Sequence, residues 1–147
     1  MRSVAWRVHP VDWAALSGLK FLVSGDSSAV STTSGCVPIL PPALALVLLD
    51  APTFPGCHIS VRVVALFEMT DESGPDAKVV VVPATDPRWQ QVRDLEDVDQ
   101  FLRDEISQFF EVYKLLEPGK HARIEGWRGR AAAERELQAA YDRLEPG

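Results

Sequence analysis

The spacing of apolar residues predicts a group of strands in the middle of the chain. Residues 45–49 form a short apolar run that is typical of a buried strand. Residues 58–67 alternate between apolar and polar side chains, and residues 78–82 are β-branched in all but one position. Residues 70–77 between them are polar and contain Gly and Pro, so we expect a turn there. This pattern predicts two neighbouring strands joined in a hairpin-like unit.

The C-terminal part of the chain shows helical periodicity. Residues 97–116 carry an apolar stripe at helical spacing, with Asp97 as the expected N-cap and Pro118 and Gly119 as the stop signal. The stripe consists of Val98, Phe101, Leu102, Ile106, Phe109, Phe110, Tyr113 and Leu116. We expect a last strand at 121–127 and an amphipathic helix at 130–144. Strands followed by helices indicate an α+β domain built on a small barrel.

The N-terminal segment, residues 1–38, lacks a clear period. Its residues 24–35 are rich in Ser, Thr and Gly, which is typical of a loop or linker. We therefore expect residues 1–38 to be a divergent, poorly ordered segment and residues 39–147 to form the folded domain. The total of 147 residues corresponds to about one domain.

Charge and cysteine content narrow the class of protein. The 15 Lys and Arg residues against 21 Asp and Glu residues give a net charge of -6, which argues against binding to nucleic acid or to anionic membranes. The apolar run 39–49 is shorter than the ~20 residues that cross a bilayer. Polar residues interrupt any apolar segment near the N-terminus, so no signal peptide is expected. Cys36 and Cys57 are then expected to be reduced thiols in a cytoplasmic protein.

The polar turn carries the first candidate chemistry. Asp71 is expected to end one strand and Lys78 to begin the next, with Asp76 on the same face as Lys78 because residues two apart on a strand share a face. Carboxylate oxygens suit Mg²⁺, and an ammonium group suits phosphate. The alternative is a hairpin loop whose acidic residues are only solvated.

A second candidate pair stands at the end of the long predicted helix. Tyr113 belongs to the apolar stripe, so its hydroxyl needs a partner, and Lys114 follows it. Together the two groups can hold phosphate oxygens. The alternative is a packed tyrosine beside a lysine that stabilises the helix C-terminus.

Several motifs resemble one known family in order and spacing. They are FPGCHISVRVVALFEM, MTDESGPDAK, KVVVVP, DPRW, EISQFFEVYKLLEPGK and IEGW. From about residue 46 to residue 144 the chain is similar to soluble family I inorganic pyrophosphatases. The resemblance implies a small β-barrel of the oligonucleotide-binding (OB) type with flanking C-terminal helices. It also implies a cytoplasmic hydrolase that uses Mg²⁺ to split pyrophosphate into two phosphates, assembled as a homo-oligomer, usually a hexamer.

The same resemblance assigns roles to individual residues. Asp71 and Asp76 would be metal ligands, and Asp76 would also be catalytic by helping to activate water. Lys78, Tyr113 and Lys114 would bind the phosphate oxygens of the substrate.

The chain departs from the family pattern upstream of these motifs. The family carries Asp-x-Asp-Pro-x-Asp just before the strand at 45–49, where this chain has residues 39–44 (ILPPAL) and only Pro42 fits. The family's upstream tyrosine motif is absent as well. An altered gene start or a reading-frame error would produce such a sequence over residues 1–44. Two alternatives therefore stand beside an active enzyme: a catalytically impaired or inactive pyrophosphatase-like protein, or a small acidic α+β binding domain.

Overall fold

The structure, a computed structural model, describes residues 4–7, 21–24, 30–32, 35–37, 44–49 and 58–144. Its strands are β1 (Val4–Arg7), β2 (Phe21–Ser24), β3 (Val30–Thr32), β4 (Gly35–Val37), β5 (Leu44–Leu48), β6 (His58–Asp71), β7 (Gly74–Pro75), β8 (Lys78–Pro83) and β9 (Ala122–Gly129). The α-helices are α1 (Gln100–Val112) and α2 (Arg130–Leu144). Two short 3-10 helices, Pro87–Trp89 and Leu95–Asp97, lie between β8 and α1.

All nine described strands belong to one mixed sheet, and the 14-residue strand β6 organises it. One edge of β6 pairs with β8 along residues 61–67. Its other edge pairs with β1 at residues 58–61 and then with β9 at residues 65–71. The register shifts between Val63 and Ala65 and between Glu68 and Met69. Such irregularities bend a strand and increase its twist, which allows one long strand to serve two sets of neighbours.

The sheet has an apolar core on each of its two faces. Along β8, Val79 and Val81 belong to one core cluster and Val80 and Val82 to the other, because successive strand residues point to opposite faces. α2 covers the first cluster and α1 covers the second. The buried helix residues in these contacts are Ala133 and Ala140 of α2, and Ile106 and Phe110 of α1. A strand buried on both faces explains why β8 is a continuous apolar run after Lys78.

The predicted strands at 45–49, 58–67 and 78–82 are confirmed as β5, β6 and β8, but the predicted turn at 70–77 is too wide. β6 continues to Asp71, which pairs with Gly74 of β7, so that only Glu72 and Ser73 connect the two strands. Gly74 has φ +116°, a conformation that glycine adopts without steric cost. The loop is therefore a tight hairpin with a two-residue connection.

The predicted helix at 97–116 is confirmed, but both of its predicted ends are wrong. The N-cap is Asp99, whose Oδ1 accepts from the backbone N–H groups of Phe101 and Leu102 at 2.9 and 3.3 Å. Asp97 instead closes a capping box on the preceding 3-10 helix. At the other end α1 stops at Val112, and Leu116 is 97% exposed rather than part of the apolar stripe.

Two polar side chains fix the connection between β8 and α1. The buried guanidinium of Arg62 donates to the carbonyl oxygens of Trp89 (2.7 Å) and Val92 (3.0 and 3.2 Å). Asp94 Oδ1 accepts from the backbone N–H groups of Leu95 (2.7 Å) and Arg130 (2.8 Å), so one carboxylate joins the 3-10 helix to the start of α2. These contacts attach the connection between β8 and α1 to β6 and to the start of α2.

The α+β class is confirmed, and the helix predicted at 130–144 is found at those bounds as α2. The last predicted strand is found as β9, shifted by one to two residues.

The structure describes β1 to β4 within residues 1–38, but most of residues 24–35 lie outside the described residues, so poor order of this segment stays a prediction. No helix in the described part of the chain is long and apolar enough to span a membrane.

Candidate functional site

The residues predicted from the polar turn stand on the face of the sheet that α1 covers. Phe67 and Met69 of β6 belong to the core cluster beneath α1, and Asp71 continues their alternation at the end of the strand. On β8, Lys78 precedes Val80 on the same face and pairs in register with Phe67. Strand alternation therefore brings the carboxylate and the ammonium group to one side of the sheet.

Lys78 is a buried cation held by one carboxylate. Its side chain is 2% exposed, and its Nζ donates to Asp76 Oδ1 at 2.5 Å. The Nζ also lies 5.7 Å from the centre of the Phe110 ring on α1. Burial lowers the pKa of Lys78, while the hydrogen bond and charge of Asp76 oppose that shift. Asp76 is thus the group that makes a charged lysine tolerable at this position.

Lys114 joins the end of α1 to the hairpin. Its Nζ donates to Asp71 Oδ2 at 2.8 Å and to the two carboxylate oxygens of Glu72 at 3.1 and 3.2 Å. Burial alone would lower the pKa of Lys114, but the hydrogen bonds to Asp71 and Glu72 outweigh burial and raise that pKa. The Lys114 hydrogen bond, helped by the backbone N–H of Ser73, lowers the pKa of Asp71. Both groups are therefore charged at neutral pH.

Tyr113 lies beside both pairs. Its ring stacks on Phe109 at 5.5 Å between centroids and meets the edge of Phe110 at 5.4 Å, yet the residue stays 38% exposed. Partial burial raises the pKa of Tyr113, Lys114 opposes the shift, and the negative charges of Asp76 and Asp71 add to it. The hydroxyl is thus a neutral donor, on a packed ring, at the rim of the charged cluster.

The structure brings all five residues predicted from the sequence into one cluster: Asp71, Asp76, Lys78, Tyr113 and Lys114. It adds Glu72, which sequence reasoning did not single out. Strand alternation would place Glu72 opposite Asp71, but the hairpin begins at Glu72 and breaks the alternation. The only sequence signal was its place in the polar turn predicted at 70–77.

The donor chemistry of this cluster fits a divalent cation. Asp71 and Asp76 offer hard oxygen ligands, and only one oxygen of Asp76 accepts a hydrogen bond from the described residues. Three carboxylates stand against two ammonium groups, so the cluster carries one net negative charge. Within the described residues, no three His, Cys, Asp or Glu side chains already surround a common metal position. A cation would share these carboxylates with the two lysines.

Comparison with known proteins points to one family. The family model described as inorganic pyrophosphatase matches residues 42–145. The chain is 52% identical over 103 residues to the inorganic pyrophosphatase of Streptomyces coelicolor, a match that covers 70% of this chain and 63% of that protein. The chain spans about three fifths of the length of the curated relatives it matches.

Solved structures give the same result for the fold. The inorganic pyrophosphatase of Thermus thermophilus matches with a TM-score of 0.69 and 39% identity, over 84% of this chain and 67% of that one. The enzyme of Coxiella burnetii matches with a TM-score of 0.72 and 29% identity, over 97% of this chain and 94% of that one. These structural neighbours have an OB-fold, which is consistent with the α+β architecture of the described residues.

Proposed function

Because the chain belongs to the inorganic pyrophosphatase family, we propose that it hydrolyses pyrophosphate to two phosphates with Mg²⁺ as its cofactor. The observation that carries the proposal is the convergence of two carboxylates, two lysines and one tyrosine at the junction of β6, β8 and the end of α1. These side chains offer both of the functions that the reaction needs, cation binding and phosphate binding.

The two lysines and the tyrosine are suited to hold the substrate. Pyrophosphate is densely charged, and ammonium groups and a hydroxyl can donate to its oxygens and stabilise charge on the leaving phosphate. Lys78 approaches from the sheet, while Tyr113 and Lys114 approach from the segment directly after α1. The aromatic packing of Tyr113 orients its hydroxyl before substrate binds, which reduces the entropy cost of positioning.

We assign cation binding to Asp71 and Asp76. Bound there, Mg²⁺ would offset the charge of pyrophosphate and lower the pKa of a coordinated water. Asp76 is also the proposed acceptor for a proton from the attacking water, since one of its oxygens is free of hydrogen bonds from the described residues. In this scheme Lys78 keeps the Asp76 carboxylate oriented.

The proposal also covers the cellular location and the oligomeric state of the protein. We place the protein in the cytoplasm, in agreement with its acidic composition and two cysteines. We also propose a homo-oligomer, with the hexamer as the expected form. Family membership removes the alternative of an unrelated acidic binding domain.

The test is phosphate release from pyrophosphate at saturating Mg²⁺. We expect turnover that Asp76→Asn abolishes and that Tyr113→Phe lowers by about tenfold or more, since general acid–base and charge-stabilising groups typically contribute 10²–10⁴-fold and single hydrogen bonds less. Asp142→Asn, an exposed site on α2, is the matched control and should not change the rate. Circular dichroism of each variant separates lost chemistry from lost folding. Absence of release by the unsubstituted chain contradicts the proposal and leaves a pyrophosphatase-like protein without activity.

A further inference from the structure

Glu72 makes contacts that its place in a surface hairpin does not require. Both of its carboxylate oxygens lie within hydrogen-bond distance of Lys114 Nζ, at 3.1 and 3.2 Å. One of them also accepts from the backbone N–H of His121 at 3.4 Å, just before β9. Glu72 therefore connects the end of β6 to the segment after α1 and to the start of β9.

Lys114 is shared between two carboxylates that differ in their surroundings. The carboxylate of Asp71 holds the ammonium at 2.8 Å, and the Asp71 side chain is 13% exposed, whereas the Glu72 side chain is 30% exposed. Asp71 also accepts from the backbone N–H of Ser73 at 2.8 Å, so both of its oxygens are engaged. A cation that binds Asp71 has to share that carboxylate with Lys114, and the two positive charges repel each other.

We propose that Glu72 is a positioning residue that holds Lys114 in the site while Asp71 binds the divalent cation. The inference rests on the proposed role of Asp71 as a metal ligand. With Glu72 present, the ammonium keeps one carboxylate partner when Asp71 turns toward the cation, and Lys114 stays where it can reach a phosphate oxygen. Without Glu72, the cation and Lys114 compete for the Asp71 carboxylate.

The competition has a measurable consequence for Mg²⁺ binding. Glu72→Gln leaves Asp71 as the one carboxylate on Lys114 among the described residues. We expect its Mg²⁺ affinity to fall about two- to fivefold, the range for an exposed ion pair. Lys114→Met removes the competing ammonium, so in that background the same Glu72→Gln change should have no effect.

The experiment is calorimetric titration of Mg²⁺ into the metal-free full chain and the variants. They are Glu72→Gln, Lys114→Met, the double variant, and Glu125→Gln as the matched control. Glu125 is paired with Arg123 and Thr70 and makes no hydrogen bond to Lys114, so its loss should leave Mg²⁺ affinity unchanged. An effect of Glu72→Gln that is equal with and without Lys114 overturns the inference, because Glu72 would then act directly or through charge alone.

A charge-conserving variant tests whether misfolding of Glu72→Gln causes its weaker Mg²⁺ binding. Glu72→Asp keeps the charge in the hairpin but withdraws the carboxylate from Lys114 by one methylene group, so it should weaken Mg²⁺ binding in the same direction as Glu72→Gln. Unchanged affinity in Glu72→Asp overturns the inference. A merely structural role of Glu72 would lower the melting temperature without moving the Mg²⁺ affinity, and that outcome overturns it too.

Phosphate release from the same proteins separates this inference from the proposed function. A dependence of Mg²⁺ binding on Glu72 only when Lys114 is present supports the positioning role. If neither the unsubstituted chain nor any variant then releases phosphate, the proposed enzymatic function is contradicted while the positioning role is retained. If the unsubstituted chain binds no Mg²⁺, the positioning role falls, whatever the phosphate assay shows.

Discussion

The Lys78–Asp76 pair shows how single residues decide both stability and chemistry at this site. Removing a charge from water costs several kcal/mol, and a close opposite charge repays that cost only if the geometry is good. Lys78 is almost fully buried and Asp76 is 19% exposed, so the cost falls mainly on the lysine. The pair is therefore asymmetric: losing the carboxylate should be worse than losing the ammonium.

We predict that Asp76→Asn lowers the free energy of unfolding by about 3 kcal/mol, the lower part of the range for breaking a buried pair. Lys78→Met, which fills a similar volume without charge, should cost clearly less. The double variant should be more stable than Asp76→Asn alone, because it removes the uncompensated ammonium. Urea unfolding of the three variants measures this, and additive losses would show that the two side chains do not depend on each other.

Sequence reasoning singled out five residues of this cluster but missed the sixth, Glu72. Two-residue spacing in an extended chain predicted Asp76 and Lys78 on one face, although Asp76 itself lies between β7 and β8. The apolar stripe of the predicted helix carried Tyr113, the C-cap of α1, toward the same face. Glu72 was missed because its position depends on where the hairpin closes, and that is set by Gly74 pairing with Asp71. Turn geometry of this kind is a property of two strands together.

At the scale of elements, prediction succeeded where one signal dominated and failed where signals competed. β8 and α2 follow from a continuous apolar run and a clean amphipathic segment. The start of α1 has aspartates at 94, 97 and 99, each able to accept backbone N–H groups, and the sequence does not rank them. Tertiary contacts decide: Asp94 bonds the start of α2, Asp97 closes the 3-10 turn, and Asp99 is left to cap α1.

The junction of β9 and α2 depends on one close approach of backbone and carboxylate. A Cβ added at Gly129 would lie 2.9 Å from Asp94 Oδ1, which already holds the Leu95 and Arg130 N–H groups. We predict that Gly129→Ala destabilises the fold by about 1–3 kcal/mol, the usual cost of overpacking, with loss of part of the cap. Thermal unfolding measures the change.

The control for that prediction is a double-variant comparison. Asp94→Ala alone should cost about 1 kcal/mol, as the loss of a cap does. With Asp94 already removed, the added methyl group of Gly129→Ala has no carboxylate to displace and should cost little more. An equal cost of Gly129→Ala in both backgrounds would mean that the approach to Asp94 is not its cause.

At the scale of the whole molecule, the site is positioned by the long strand β6, its antiparallel neighbour β8, and β5, which pairs with β8 in parallel. β6 ends at Asp71, β8 begins at Lys78, and β5 begins at Leu44, which pairs with Lys78 in parallel register. Three strand ends thus meet at one edge beneath the end of α1. The sequence predicted β6 from alternation and β5 and β8 from apolar runs, but the meeting of their ends follows from the order of strands in the sheet, for which the chain gives no local signal.

The same register makes the missing aspartates testable at one described position. In the family pattern the last aspartate of Asp-x-Asp-Pro-x-Asp falls at position 44, where this chain has Leu. Position 44 stands beside Lys78 and two residues before Leu46, which faces the core beneath α1. By strand alternation an aspartate introduced there is expected to share the face of Lys78 and Asp76.

We predict that Leu44→Asp strengthens Mg²⁺ binding by about tenfold and raises phosphate release, because a further carboxylate beside Asp76 adds a hard ligand and offsets the charge of the lysines. Leu44→Asn is the matched control, since it has nearly the same shape without the charge and should bind Mg²⁺ no better than the unsubstituted chain. Calorimetric titration and phosphate release measure the two effects on the same proteins. Equal affinities for Leu44→Asp and Leu44→Asn in folded protein would show that the start of β5 does not face the cation, and that Asp71 and Asp76 serve without help from this strand.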